Sequence, residues 1–537
     1  MPLPEQVDVL GHLLYIIRGE YNMVKGSRLL ALILAIVMCL SLSSVAFADA
    51  AHNFKLAIVR WTDSWGTAFE DAAILKEISK ATNTNITWNA YYWDNWSEQK
   101  SLLLASGDLP DAFFGSITLT DADIAQNKAY FVDLTDYIPT CMPNLSAIFK
   151  ADPTLKALCT DRDGRIYSLP KKLPLRPKTA NETYINKVWL DKLGLPMPTT
   201  YKELESVLEA FVTKDPNGNG VNDEAGYSNT ASCAGDINNL MIPFGTQASR
   251  ANNYMGLNAA GEPYFVPAAD NYREGVKWVH ELYTKGLIDA ERFTQTSDMV
   301  SAKTNAPDGA QVGIVFAWTA DAGVGVNASQ FAVVPALAGP DGNRYVEADP
   351  TFLNYGKNEL VVTTACKDVE GLLRWADAFY TDEVSLQTYY GSIADGKIAK
   401  DGDTYTVLVP SDGTSLDTSC WTNSFRDHGP KYMNTAFESK VVLPTDQGDG
   451  IKLADDKVNA EFVRDTFPVC AYTDDQLIRL AALTTDIKNY VEQTYAHWVV
   501  DGGTDAEWDA YVAQLNQMGL EEYVSIYTDA YNVYKGK

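Results

Sequence analysis

The stretch Phe54-Lys-Leu-Ala-Ile-Val-Arg60 decides the fold class, because it has the composition of a buried strand and opens a regular alternation. A helix predicted over 68–82 carries apolar residues at helical spacing, and Asn85-Ile-Thr-Trp-Asn-Ala-Tyr91 again favours a strand. A helix over 96–105 and a short strand over 112–115 repeat the pattern. This alternation indicates α/β units and a largely parallel sheet.

Most of the remaining chain continues as helices and strands, with no repeat or low-complexity linker to divide it. Helices are predicted at 186–193, 200–213, 272–285 and 367–380, and the tail 474–534 is mostly helical. A chain of 537 residues is long enough to bury the cores of two large domains.

A calcium-like loop is the most distinctive motif, Asp215-Pro-Asn-Gly-Asn-Gly-Val-Asn-Asp-Glu224. Oxygen-bearing side chains stand at alternate positions, and Gly220 occupies the sixth position, as in an EF-hand loop. The last carboxylate comes at position 10 instead of 12, so the loop is shortened. The predicted ligands of a structural Ca²⁺ are Asp215, Asn217, Asn219, the Val221 carbonyl, Asp223 and Glu224. The alternative is a solvated Asn/Gly turn.

The start of the chain predicts export. Segment 23–48 has a positive beginning, an apolar run and a small-x-small end before Asp49, which is typical of a signal peptide. Residues 1–22 we interpret as a spurious upstream extension. The apolar run is almost long enough to span a membrane, so an N-terminal anchor is the alternative. Because Met38 precedes Cys39 where a lipid-modified cysteine needs a small residue, we expect a released protein without a lipid anchor.

The net charge of -27 argues against binding to nucleic acid or to anionic membranes, since both need clustered Lys and Arg. Five histidines and the absence of nucleophile-elbow, zinc-protease and phosphate-loop motifs argue against the enzymes that rely on them. Beyond Cys39, disulfides and buried free thiols both remain open for the other cysteines. These are Cys141, Cys159, Cys233, Cys366, Cys420 and Cys470.

Several segments together resemble extracellular solute-binding proteins of ABC importers, in the carbohydrate-binding branch with lipoprotein-like and alginate-binding members. They are Ala105-Ser-Gly-Asp-Leu-Pro-Asp111, Ile185-Asn-Lys-Val-Trp-Leu-Asp-Lys-Leu-Gly-Leu195, the calcium-like loop, Leu282-Tyr-Thr-Lys-Gly-Leu-Ile-Asp289 and Tyr490-Val-Glu-Gln-Thr-Tyr495. Their order and spacing match that branch across nearly the whole mature chain. Segment Gly391-Ser-Ile-Ala-Asp-Gly-Lys397 departs from the Gly-x-Glu-Gly pattern of relatives.

The resemblance implies a type II periplasmic-binding-protein-like α/β fold, with two lobes joined by crossover strands and a ligand cleft between them. Lobe one is predicted to comprise 53–169 plus 360–415, and lobe two 170–359 plus 416–537, including the calcium-like loop. The implied protein is a monomer that captures a carbohydrate by hinge closure and delivers it to permease subunits, without catalysis. We expect it to be extracytoplasmic, held at the cell surface through the permease.

A cleft for sugars needs aromatic platforms for the C–H faces of the rings and planar polar side chains for their hydroxyls. Open α/β sheets bind ligands at the carboxyl ends of their strands, where this chain carries several such residues. The predicted ligand-binding residues are Trp61, Asp63, Trp65, Trp93, Asp111, Trp318 and Trp421. For each aromatic residue, burial in the core is the alternative.

Two other functions are the alternatives to solute capture for transport. A secreted glycoside hydrolase or polysaccharide lyase needs placed carboxylates, and carboxylates are abundant in this chain. A sugar sensor on the same fold would present its ligand to a membrane receptor. The sequence does not separate the sensor from the transport protein.

Overall fold

The computed structural model describes residues 51–229, 239–246, 253–346, 348, 355–464 and 466–536. The predicted extension, the signal segment, Cys39 and Cys233 lie outside these residues.

Strands β1 to β15 are numbered in chain order. They span His52–Arg60, Thr84–Tyr92, Ala112–Phe114, Leu169–Lys172, Glu182–Asn186, Ala225–Tyr227, Met255–Leu257, Pro263–Phe265, Val312–Ala317, Phe331–Val333, Tyr355–Val362, Ile398–Asp401, Thr404–Val407, Lys431–Tyr432 and Val441–Val442.

Helices α1 to α19 follow the same convention. They span Ala73–Ala81, Trp93–Ser106, Asp121–Gln126, Ile138–Cys141, Pro143–Ala151, Pro153–Cys159, Lys187–Leu193, Tyr201–Thr213, Asp270–Thr284, Ser297–Thr304, Ala320–Val324, Val369–Asp377, Asp382–Tyr390, Leu416–Asn423, Thr435–Glu438, Asp449–Asn459, Asp474–Asp501, Thr504–Gln517 and Leu520–Tyr534.

The first lobe is built on a sheet with the order β14-β4-β11-β3-β1-β2. β1 pairs in parallel with both β2 and β3, which confirms the predicted parallel core of the α/β unit. β11 runs antiparallel to β3 and β4, and β14 joins β4 at the edge. The segment 431–432 therefore hydrogen-bonds to the first sheet, although it falls in the range 416–537 predicted for lobe two.

The second lobe is built on a sheet with the order β10-β5-β9-β6. Its large core packs α7, α8 and α9 together with the three C-terminal helices α17, α18 and α19. These helices divide the predicted helical tail at Gly502–Gly503 and Gly519, which all have positive φ. Glycine adopts this conformation without steric cost, so the breaks coincide with glycines.

A third hydrophobic cluster connects α13 and α14 with the small sheet β12-β13-β15. Segment 416–430 runs from this cluster toward the first sheet, where Phe425 enters the first-lobe core. This path brings Trp421 and His428 to the end of β1.

The cysteines that the structure describes are all buried free thiols: Cys141, Cys159, Cys366, Cys420 and Cys470. Burial raises the pKa of the Cys366 thiol to about 11, which keeps it protonated at neutral pH. In the described part of the chain, no helix combines the length and apolarity needed to cross a bilayer.

Candidate functional site

Four predicted tryptophans meet at the carboxyl ends of β1 and β2. Trp61 and Trp65 follow β1, and Trp93 follows β2, so parallel pairing brings them to the same edge of the sheet. The rings of Trp61 and Trp93 lie 4.8 Å apart, and those of Trp65 and Trp421 stack at 4.6 Å with planes 13° apart. Trp61 is 40% exposed and Trp93 48%, so these two present ring surface to solvent. We call these four residues the tryptophan cluster.

Arg60 holds part of the tryptophan cluster in place from the buried end of β1. It is the last residue of β1, and its side chain is buried. One Nη donates to the carbonyl of Trp421 and the other to that of Ser424, at 3.2 Å, which ties the end of α14 to the end of β1. The guanidinium also lies 5.9 Å from the ring of Trp65. Burial lowers the pKa of Arg60 to about 10, so it stays charged at neutral pH.

His428 lies against the cluster on its protein side. Its ring centroid is 6.1 Å from that of Trp61 and 5.6 Å from that of Trp421. Two glycines allow this position. A Cβ on Gly115, which has φ +95°, would lie 3.2 Å from the Cβ of His428, and Gly429 turns the chain with φ +84° against Phe114.

A buried ion pair supports the turn that carries His428. Lys171 on β4 lies 2.7 Å from Glu359 on β11 and donates to the carbonyl of Asp427 at 2.6 Å. Glu359 in turn accepts from the Gly429 N–H at 2.7 Å. Lys431 donates to the carbonyls of His428 and Gly429, and burial lowers its pKa to about 7.

Two of the predicted residues, Asp63 and Trp318, take no part in the ring contacts of the tryptophan cluster. Asp63 is exposed in the short 3₁₀ turn Asp63–Trp65. Trp318 follows β9 of the second lobe and is half-buried. The cations of Arg176 and Lys452 lie 4.6 and 4.9 Å from its ring. Cation–π contacts thus occupy the Trp318 ring.

Asp111 lies at the opposite edge of the sheet from the position we expected. It precedes β3, and its N–H donates to the carbonyl of Lys55 at 2.9 Å, while its carboxylate accepts from the Lys55 N–H at 2.7 Å. Lys55 is six residues before Trp61 along β1, which corresponds to about 20 Å of strand. The expectation failed because a residue before a parallel strand lies at its amino end.

The calcium-like loop lies between α8 and β6, far along the chain from the tryptophan cluster. Asp215 accepts main-chain N–H groups from Gly218 at 2.8 Å and Gly220 at 3.1 Å. The side-chain oxygens of Asn217 and Asn219 accept from the N–H two residues further on, at 2.9 and 2.7 Å. These bonds fix the side chains at loop positions 1, 3 and 5.

The donor set of this loop suits a hard cation. One carboxylate oxygen of Glu224 is buried without a hydrogen-bond partner among the described residues. Burial, together with the charges of Asp223 and Asp215, raises the pKa of Glu224. In the described residues, however, no three His, Cys, Asp or Glu side chains converge closely enough to form a metal site.

Sequence reasoning missed Arg60 and His428 as parts of the site. The signal for Arg60 is a cation directly after the apolar run over 56–59 of the strand. His428 gives a weaker signal, as one of five histidines in the chain, placed before a Gly-Pro turn.

Comparison with known proteins gives consistent matches. A model of the family described as bacterial extracellular solute-binding protein matches residues 64–385. The fructooligosaccharide ABC transporter substrate-binding protein FusA of Streptococcus pneumoniae serotype 4 is 31% identical over 481 residues, which cover 86% of this chain and 87% of FusA.

Solved structures extend the likeness to the fold. An EF-hand mutant of S. pneumoniae FusA in complex with fructo-nystose has a TM-score of 0.80 at 29% identity, covering 90% of this chain and 99% of that one. An HMO-binding, ABC-transporter-associated solute-binding protein from Bifidobacterium longum infantis has a TM-score of 0.76 at 26% identity, with the same coverage. The predicted two-lobed α/β fold, of the type II periplasmic-binding-protein-like class, is thereby confirmed.

Proposed function

Because this chain belongs to the family of bacterial extracellular solute-binding proteins, we propose that it captures an oligosaccharide outside the cytoplasm and delivers it to an ABC importer. The observation that carries this proposal is the tryptophan cluster at the carboxyl ends of β1 and β2. Exposed ring faces of Trp61 and Trp93 suit the flat C–H faces of sugar rings. The likeness to FusA, which is named for fructooligosaccharides, supports the same ligand class.

Ligand capture would use closure of the two lobes around the sugar. Two sets of ionic contacts join the parts of the chain that would move. Lys128 of the first lobe lies 2.8 Å from Asp474 at the start of α17. Helix α16 is bound at its first residue by Arg426, and further along by Glu182 of the second sheet. We propose that the protein acts as a monomer, performs no chemistry on its ligand and docks on permease subunits after closure.

A panel of oligosaccharides tests this function on the chain that begins at Asp49. Wild-type protein is expected to show a raised melting temperature with one sugar class, since a ligand that binds only the folded state stabilises it by about 2.7 kcal/mol at 100 times its Kd. The panel contains fructo-nystose, other neutral oligosaccharides and uronic-acid oligosaccharides. Differential scanning fluorimetry measures the shift.

Chromatography of the same mixtures separates the alternatives. Intact sugar after prolonged incubation is the expected result, whereas shortened or unsaturated products would identify a secreted hydrolase or lyase. Uptake of labelled sugar by cells with and without the gene distinguishes transport from sensing. A sensor would leave uptake unchanged.

We also propose that the loop over 215–224 holds a structural Ca²⁺. Asp215, Asn217, Asn219, Asp223, Glu224 and the Val221 carbonyl would supply the ligands. The unpaired, buried oxygen of Glu224 supports this assignment, because a cation would compensate its desolvation. The FusA structure described as an EF-hand mutant supports a related loop in a relative. A cation bound here would stabilise the second lobe.

Removing calcium is expected to destabilise the wild-type protein. With free calcium at 100 times its Kd, binding stabilises the folded state by about 2.7 kcal/mol. A chelator should abolish this stabilisation. Asp215→Ala is expected to lower the melting temperature to the chelated value and to remove the response to chelator. Thermal melts with and without chelator measure both effects, and calorimetric calcium titration measures binding directly.

Asp403→Ala is the matched control, because Asp403 is a 91% exposed carboxylate outside the loop. It should melt and respond to chelator like the wild type. A wild-type melting temperature that is the same with calcium and with chelator would show that the loop is only a turn.

A further inference from the structure

His428 has no internal hydrogen-bond partner. The residue is 2% exposed, and neither ring nitrogen bonds to any other described residue. Leaving a buried polar group unpaired is unfavourable, because the group loses its hydrogen bonds to water without replacing them. The ring faces Trp61 and Trp421, so the unpaired nitrogens belong to the side chain that lies directly behind the tryptophan cluster.

The charges around His428 keep it neutral. Burial and the cations of Lys171, Lys431 and Arg60 hold the pKa of His428 well below its ordinary value. Glu359, which belongs to the same network, is already bound by Lys171 and by the Gly429 N–H. A neutral imidazole has one N–H donor and one nitrogen acceptor, and a sugar hydroxyl also donates and accepts.

The Trp61 ring lies 6.1 Å from this imidazole, between centroids. Its ring is 40% exposed and belongs to a loop that follows β1. Exposed side chains change rotamer within nanoseconds. A sugar ring that stacks on Trp61 can therefore bring its hydroxyl groups to the His428 edge as the indole shifts.

We propose that His428 is a specificity-determining residue, which exchanges hydrogen bonds with hydroxyl groups of the sugar ring stacked on Trp61. This inference rests on the proposed function. The tryptophans supply contact area that every sugar ring can use. His428 supplies the directional contact that distinguishes one arrangement of hydroxyl groups from another, because a ligand without the matching hydroxyl leaves it unpaired.

His428→Phe tests the inference, because it keeps an aromatic ring and removes both nitrogens. Calorimetry with fructo-nystose, or with the panel sugar that gives the largest thermal shift, is expected to show a Kd raised about 10- to 100-fold. The melting temperature of the unliganded variant should stay the same or rise, since no internal hydrogen bond is lost. A deoxy analogue of the ligand that lacks the contacted hydroxyl should bind wild type and variant equally.

His280→Phe is the matched control, because His280 lies in the second lobe and its Nδ1 is 2.9 Å from the carbonyl of Val499. It should lower the melting temperature and leave the Kd within about twofold. A His428→Phe variant with unchanged Kd, or one that only melts earlier, would overturn the inference. A wild-type protein that binds no panel sugar would instead contradict the proposed function.

Discussion

Lys452→Met is expected to lower the free energy of unfolding by about 3–5 kcal/mol, because it leaves a buried carboxylate without its cation. The Nζ of Lys452 lies 3.1 Å from Glu182, and the two side chains are 0% and 2% exposed. Methionine has a similar length but no charge, so the cost is chiefly electrostatic. Urea denaturation monitored by circular dichroism measures the change.

The loss of stability in Lys452→Met comes chiefly from leaving Glu182 buried without a partner, and less from the net stabilisation by the intact ion pair. Burial lowers the pKa of Lys452 despite the adjacent Glu182, so desolvation outweighs the attraction of the carboxylate. Glu182 also accepts from the side-chain amide of Asn459 at 2.9 Å, but this bond does not neutralise its charge.

A second variant separates charge from packing. Adding Glu182→Gln to Lys452→Met should recover at least half of the lost stability, because the remaining group is then uncharged. Lys187→Met is the matched surface control, since Lys187 and Asp191 are 53% and 66% exposed, and it should change stability by less than about 0.5 kcal/mol. If the double variant is no more stable than Lys452→Met, the buried charge is not the cause.

Local patterns predicted the strands and helices at the start of the first lobe. The strand expected over 54–60 spans His52–Arg60, and the helix expected over 96–105 spans Trp93–Ser106. The residues of these elements repeat with the spacing of a strand or of a helix, which a local pattern can show. Lobe membership depends instead on long-range pairing, which is why the β14 segment joined the first sheet.

The tryptophans that follow β1 and β2 share an edge for a reason visible in the sequence, namely the parallel direction of consecutive strands. The same rule, applied with the correct strand end, assigns Asp111 to the other edge. Trp421 reached the cluster by a different route. Its position depends on Arg60, which is 361 residues away in sequence.

Contacts of this kind escape single-sequence reasoning because no local pattern encodes them. The hydrogen bond between Lys452 and Glu182 joins residues 270 positions apart, and the turn that carries His428 depends on Lys171 at a separation of 256. Buried polar groups such as these resemble surface residues in the sequence. Only the folded chain shows that they are enclosed.

Trp61→Ala is expected to weaken oligosaccharide binding about 30-fold, which corresponds to about 2 kcal/mol, the usual effect of truncating an aromatic anchor. The Trp61 ring contacts both Trp93 of the cluster and His428 behind it. Its 40% exposure means that little core packing is lost, so the unliganded protein should keep its stability within about 0.5 kcal/mol. Calorimetry and thermal melts measure the two quantities on the same preparation.

The comparison with Trp61→Phe and Tyr534→Ala decides whether stacking is the cause. Phenylalanine keeps a smaller stacking face and should restore part of the affinity. Tyr534 is a 59% exposed aromatic residue at the end of α19, and its truncation should leave the Kd unchanged. If wild type and Trp61→Ala bind with equal affinity, the ligand does not bind at the carboxyl ends of β1 and β2. A loss of affinity matched by an equal loss of stability would instead give Trp61 a structural role, because stacking on a ligand contributes nothing to the unliganded protein.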